Sequence, residues 1–277
     1  MFNAIASLFG YLMNFIYGLV QNYGLAIIIF TVLVKLLLLP FTIKQQKSLQ
    51  KTQELQPLMQ ELQRKYGNDQ QKFMEEYNKL LKSKNMNMMS GMGCSGCILS
   101  LIQIPIVLGM FYMMMNPLTH ILKMDQNLIN QYKEEIDASS IDPRYYEIAI
   151  IKEKDLMNLD FLGINLGDSA INNKTNYSML IIPVLSTLFT YLSLYLTSQY
   201  NKKKGIQTPK PEDSEIPMPN MQLMNIMMPL MTGYIAYSVP QGVGLYWATS
   251  NLIGVIQMVV MRAISDKKDI KLIEEKK

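Results

Sequence analysis

Residues 24–41 read GLAIIIFTVLVKLLLLPF, eighteen positions interrupted by only two polar side chains, Thr31 and Lys35. A helix of that length and composition suits a bilayer, whose hydrocarbon needs about 20 apolar residues to cross. The rest of the 277-residue chain follows the same pattern. Lys35 is the one charged side chain before Lys44, and no Asp, Glu, Lys or Arg falls between Lys84 and Lys123, between Lys174 and Lys202, or between Glu215 and Arg262. Those gaps hold 38, 27 and 46 residues. A water-soluble core would scatter charges along its helices to keep one face wet. Soluble enzyme, disordered chain and disulfide scaffold are therefore excluded, and the fold class is an all-α polytopic membrane protein.

Five spans are expected. After 23–42, the second lies at 94–116 around CILSLIQIPIVLGMFYMMM and the third at 177–200. The 46-residue gap is too long for one helix and divides at Ser238-Val239-Pro240-Gln241-Gly242, giving spans at 221–238 and 243–262. Basic residues are held on the cytoplasmic side of membrane proteins. Segment 43–93 carries nine Lys and Arg, 201–220 carries four and the stretch from Arg262 carries six, whereas 117–176 carries six against ten acids. The two short basic loops decide the orientation: amino terminus out, carboxyl terminus in. The tail 263–277 is then cytoplasmic, and loop 201–220 contains a linker of Pro and charged residues at 208–219. In 1–22, Asn3, Ser7, Gly10, Asn14, Gly18 and Gln21 recur at helical spacing, which favours an amphipathic helix in the outer interface over a sixth span. No basic residue precedes Lys35, so a signal peptide is not expected there.

Between spans 1 and 2, Leu55, Leu58, Leu62 and Tyr66, then Phe73, Tyr77 and Leu80, have helical spacing. Gly67 can end one helix, and Asn68 followed by Gln71 resembles a capping box for the next. An antiparallel cytoplasmic hairpin follows, as either a solvated connector or a mobile docking element. In the acidic outer segment 117–176 only 130–137 looks helical. Catalytic signals are weak. His120 is the single histidine and has no Ser or Asp constellation around it. Cys94-Ser95-Gly96-Cys97 lacks the two further ligands zinc needs and the βαβ setting of a redox motif. No enzyme activity, cofactor or metal is expected.

Lys35 is the most informative residue. It lies six residues, about 9 Å, from the cytoplasmic end of its span. A cation in that position costs roughly 2.5–3.5 kcal/mol on insertion scales. Either its stem snorkels to the interface, or water reaches it through a cavity among the helices, because no predicted span contains a carboxylate to pair with it. Gln103, Ser193, Tyr246, Ser250, Asn251 and Gln257 are polar companions available to such a cavity. The 23 methionines are the second unusual feature. Met86, Met88, Met89 and Met92 precede span 2, Met113–Met115 end it, and Met218, Met221, Met224, Met227, Met228 and Met231 recur along span 4. Singly they are filler; as a set they suit a surface that accepts varied apolar helices.

The last span, Pro240-Gln-Gly242-Val-Gly-Leu245-Tyr246-Trp247-Ala-Thr-Ser-Asn251 with Gln257, closely resembles the YidC / oxidase-assembly / Albino family of membrane protein insertases. So do Gly96-Cys97 before Leu101-Ile102-Gln103-Ile104-Pro105-Ile106, Lys35 through Pro40, Gln56-Pro57 and Met228-Pro229. The resemblance covers nearly the whole chain. It implies five core helices around a hydrophilic groove open to cytoplasm and lipid and closed to the outside, with Trp247 joining Lys35, Gln103, Ser193, Tyr246, Ser250 and Asn251 as its lining. It implies insertion of nascent helices into the bacterial cell membrane, with nascent membrane proteins, the ribosome and lipids as partners, the Sec translocon as a further candidate, and no small-molecule substrate. Three departures stand out. Lys35 occupies a position usually held by arginine, which removes a planar fork of donors. Ser193 and Leu99 replace a common glutamine and a common proline. The outer segment is long. The rival readings are an anion channel or transporter, opposed by the wholly apolar 25–30, and a scaffold or sensor acting through the outer segment, which deletion of 123–173 would distinguish.

Overall fold

The computed structural model describes residues 2–66, 69–84, 94–136, 141–173, 175–203 and 221–274. In chain order its helices are α1 (Phe2–Val20), α2 (Tyr23–Leu37), α3 (Leu39–Tyr66), α4 (Gln70–Ser83), α5 (Cys94–Met115), α6 (Pro117–His120), α7 (Gln126–Glu135), α8 (Tyr146–Lys154), α9 (Ile181–Lys203), α10 (Met221–Ser238) and α11 (Gln241–Glu274). Two-residue strands β1 (Asp160–Phe161) and β2 (Ile164–Asn165) pair antiparallel between α8 and α9. Asn3–Val20, Tyr177–Tyr200 and Gln241–Ile264 are long and apolar enough to cross a membrane, and Tyr23–Leu37 with Leu39–Ser48 makes a fourth if that broken pair is one span. The chain is therefore a mostly helical membrane protein, with three to four candidate spans among the described residues by length and composition. α5 and α10 lie in the segments 94–116 and 221–238, and the described part of α5, Ile104–Met115, is a shorter apolar helix.

Two compact units divide the chain. The first comprises Met1–Leu37, Ile104–Ser193 and Met228–Lys277. Here α2 packs on both α11 and α1. Its buried residues Tyr23, Ala26, Ile27, Phe30, Thr31 and Val34 recur every three or four positions, while Leu25, Val32, Leu33, Leu36 and Leu37 face outward. Helices meet through small residues, as they do where lipid supplies no hydrophobic drive between them. A Cβ on Gly233 of α10 would stand 2.0 Å from Thr187 Oγ1 of α9, and one on Gly244 of α11 would stand 2.9 Å from Ile182 of α9.

The stretch 117–173 is integral to this unit. Its core, Leu118, Ile121, Ile129, Ile150, Ile151, Leu159 and Leu166, is buried. Backbone bonds stitch it to the helix ends: Tyr23 N–H to the Asn158 carbonyl at 3.0 Å, Gln241 N–H to Asp168 and Gly242 N–H to Leu166, both at 2.8 Å. These bonds satisfy first-turn amides of α2 and α11 that helix geometry leaves open. Buried Glu147 accepts from the Thr119 N–H at 2.9 Å and the Thr119 hydroxyl at 2.6 Å, which ties α8 to α6. The expected helix at 130–137 is α7, which runs from Gln126 to Glu135 and starts four residues earlier, and α6 and α8 are further helices in the same stretch.

The second unit comprises Leu38–Gln103 and Leu194–Met227. It contains the α3–α4 hairpin, whose core is Leu55, Tyr77 and Leu81, flanked by Leu58, Met59, Leu62 and Leu80. Asp69 caps α4 by accepting from the Lys72 N–H at 3.1 Å. The cap thus falls one residue later than the expected Asn68, which lies outside the described residues together with Gly67. The first span also differs from a continuous helix to residue 41: it breaks at Leu38. Two residues on, Pro40 has no N–H to give the Leu36 carbonyl.

Candidate functional site

The polar residues expected around Lys35 of α2 come from α5, α9 and α11. Lys35 sits in the last turn of α2, one turn beyond fully buried Thr31, whose hydroxyl donates to the Ile27 carbonyl at 2.6 Å. The side chain therefore continues the face of α2 that packs on protein and is itself half-buried. Among the described residues no carboxylate pairs with it. Its position at the carboxyl end of α2 places the cation beside the negative end of that helix's dipole, a favourable arrangement.

Along α11, Tyr246, Trp247, Ser250, Asn251 and Gln257 recur at helical spacing and are all half-buried. The Gln257 side-chain amide donates to the Lys35 backbone carbonyl at 3.4 Å, supplying a partner where the α2 ladder runs out. Asn251 Nδ2 donates to Thr190 Oγ1 of α9 at 2.8 Å. Ser250 follows Tyr246 one turn later on the same helix. The structure thus joins Lys35 to Gln257 and Asn251 to α9. Ser193 lies one turn beyond Thr190 on α9. Gln103 lies in α5, but its side chain is outside the described residues.

Thr190 is a residue that sequence reading missed. Its spacing of three from Ser193 was the available signal, but a threonine in an apolar helix usually bonds its own backbone. Thr190 does that too, donating to the Ser186 carbonyl at 2.8 Å while accepting from Asn251. The methionine reading divides. Met227, Met228 and Met231 are exposed, whereas Met113, Met114 and Met115 are buried and belong to the core rather than to an accepting surface. Met86, Met88, Met89, Met92 and Met218 lie outside the described residues, as do the side chains of Met221 and Met224. His120 is buried, with Ser7 Oγ of α1 3.3 Å from its Nδ1.

At the other end of α2, Tyr23, Met114, Leu166 and Val243 close on one another around a cavity of about 10 Å³, room for one water at most. Two open clefts of about 620 and 650 Å³ flank 141–173, and neither is lined by Lys35 or its companions. Outward-facing Val184 and Leu188 on α9 and Ile256, Val259 and Val260 on α11 are apolar. The arrangement is one of polar side chains turned toward neighbouring helices and apolar ones turned outward, with no cluster of three or more metal-ligating residues among the described ones.

Together these features define a multi-pass membrane protein whose polar residues sit between its helices. Residues 15–268 match the family model described as 60Kd inner membrane protein, and the chain belongs to that family. It is 32% identical over 256 residues to the membrane protein insertase YidC of Caldanaerobacter subterraneus subsp. tengcongensis, covering 92% of this chain and 93% of that protein. It is likewise 32% identical over 262 residues to the YidC of Clostridium perfringens, covering 95% and 87%. Against the YidC of Treponema pallidum the identity is 29%, and the match covers 93% of this chain but 35% of the relative.

Proposed function

We propose that this protein inserts nascent helices into the bacterial cell membrane through a groove lined by Lys35, Gln103, Ser193, Tyr246, Trp247, Ser250 and Asn251, framed by five core spans with the amino terminus outside. One observation carries the reading: a half-buried ammonium on the protein-facing side of α2, with no carboxylate beside it among the described residues and half-buried polar side chains on the helix packed against it. A substrate's polar or acidic tail provides the missing partner. The tail then crosses only part of the hydrocarbon while its apolar segment moves along the outward faces of α9 and α11. No nucleotide is required. Each central Leu or Ile contributes about −0.3 to −0.6 kcal/mol, and a potential negative inside adds roughly 2.3 kcal/mol per 100 mV for each acidic charge moved outward. Names of the relatives support the insertase role.

The ribosome, the Sec translocon and lipids are the partners expected beside nascent clients. An anion channel is disfavoured by the tight closure around Tyr23. A sensor reading needs the outer segment to act separately, and that segment is bonded into the ends of α2 and α11. Deleting 123–173 would thus damage the core under either reading, and substitutions of its exposed acids, Glu153 and Asp155, are the cleaner discriminator. The direct test is reconstitution of the purified protein in liposomes with a small single-span substrate. Protease protection of the substrate is expected, and none above protein-free liposomes refutes the proposal.

A further inference from the structure

α1 carries no charge and presents three different sectors. Ala6, Gly10, Met13 and Ile16 are buried. Beside them, the polar stripe reaches protein. Ser7 Oγ lies 3.3 Å from His120 Nδ1, and Asn14 Nδ2 donates to the Ile121 carbonyl at 2.6 Å. Opposite the buried sector stand Leu8, Tyr11, Phe15 and Leu19, each at least 66% exposed. An amphipathic helix resting on the membrane surface directs its polar stripe to water; here much of that stripe is bonded to the chain, and the outermost face is apolar.

Contacts along α1 set its depth. Near its carboxyl end, the Tyr17 hydroxyl accepts from the Asn158 N–H at 2.9 Å, and the Asn158 carbonyl in turn holds the first amide of α2. Near the other end, the Phe9 ring meets Phe30 edge-on at 5.7 Å, and a Cβ on Gly109 would lie 2.5 Å from Ile5 Cγ2. Phe30 is seven residues into α2, and Gly109 is six residues before the end of α5. At 1.5 Å per residue both lie about 10 Å from the helix ends that join 117–173. Among the described residues, the cation at α1 is Lys123, which reaches the Ser7 carbonyl at 3.3 Å and covers the Tyr11 ring at 3.8 Å.

We propose that α1 descends obliquely into the outer leaflet, its Leu8–Tyr11–Phe15–Leu19 face packed against lipid acyl chains and its Ile5 end deepest. It thereby occupies volume that outer-leaflet lipid would otherwise fill beside α2 and α5. The inference deepens the membrane reading; the outer leaflet is the one on the side where 117–173 lies, as in the orientation proposed above. A drop of about 10 Å spread over 5–23 puts Leu8 about 6 Å deeper than Leu19.

Nitroxide labels introduced one at a time by Leu8→Cys, Phe15→Cys and Leu19→Cys, with Cys94 and Cys97 replaced by Ser, test this in liposomes. Relaxation by dissolved oxygen against a water-soluble nickel chelate reports depth. Depth increasing from position 19 through 15 to 8, with all three shielded from nickel, is expected. Equal depths at headgroup level, nickel access at position 8, or labelling of Leu8→Cys from the side opposite Leu19→Cys each overturn the proposal. All three substitutions are on an exposed face, and insertion activity in the same liposomes is scored separately, so failure of this placement leaves the insertase reading standing.

Discussion

Reversing the charge at position 35 isolates the electrostatic part of the mechanism. Two unit charges 4 Å apart interact by about 1 kcal/mol in bulk water and about 4 kcal/mol at an effective dielectric of 20. Lys35 is half-buried and adjoins polar side chains of α11, so a value near 1.4 kcal/mol per acidic substrate charge is appropriate, equivalent to about tenfold in rate or binding. Lys35→Gln removes the attraction and should slow insertion of a substrate with one acidic residue in its tail about tenfold. Lys35→Glu adds repulsion of the same size and should slow it roughly a hundredfold, while Lys35→Arg keeps the rate within a few-fold. A substrate whose tail is polar but uncharged should be affected far less by any of the three. The assay is protease protection in liposomes with matched substrates that differ only in that residue. If Lys35→Glu inserts the acidic-tailed substrate at the parental rate, or if it slows both substrates equally, charge capture is wrong, and Lys35 then matters only through packing.

Other expectations concern the scaffold. Glu147→Ala leaves the Thr119 N–H and hydroxyl without their buried acceptor, so it should destabilise the purified protein by about 1–3 kcal/mol, visible as a lower Tm in detergent; Glu147→Gln should recover part of that loss. Gly233→Val places a side chain where Thr187 Oγ1 stands 2.0 Å away and should force α9 and α10 apart, costing about 1–3 kcal/mol or more; an unchanged Tm would show that the contact is loose. Outside the membrane, the Arg144 guanidinium beside Asp142, with bonds of 3.0 and 2.5 Å, holds that carboxyl down at about 2, against an ordinary value of 3.8. Since the folded value is depressed, whatever stability the pair contributes is complete above 3.8 and is lost as pH falls through about 2. Carbon-detected NMR titration should find the low midpoint, and Arg144→Gln should return it toward the ordinary carboxylate range.

Much of this protein was readable from its residues in order. The span beginning near Gly24 and the polar stripe of α11 follow from local spacing, because the cost of placing charge in hydrocarbon attaches to each residue whatever its neighbours. Lys35 stood out for the same reason. The stretch 117–173 was not readable. Its core draws on Leu118, Ile129, Ile151 and Leu166, from short elements brought together over long sequence separations, and no window of the sequence contains that periodicity. Met113–Met115 show the same limit: a methionine looks alike whether it lines a surface or fills a core, and only packing assigned these three to the interior.

From the sequence alone came the membrane setting, the helical class, the isolated cation and the family resemblance, since transfer free energy and motif order are properties of composition and succession. Tertiary structure decided the rest: that Gln257 reaches the Lys35 carbonyl, that Asn251 finds Thr190, that the far end of α2 is packed tight, and that α1 turns part of its polar stripe inward. Each of these is a choice of partner among several chemically equivalent groups, and a polar side chain bonds whichever partner folding brings within about 3 Å.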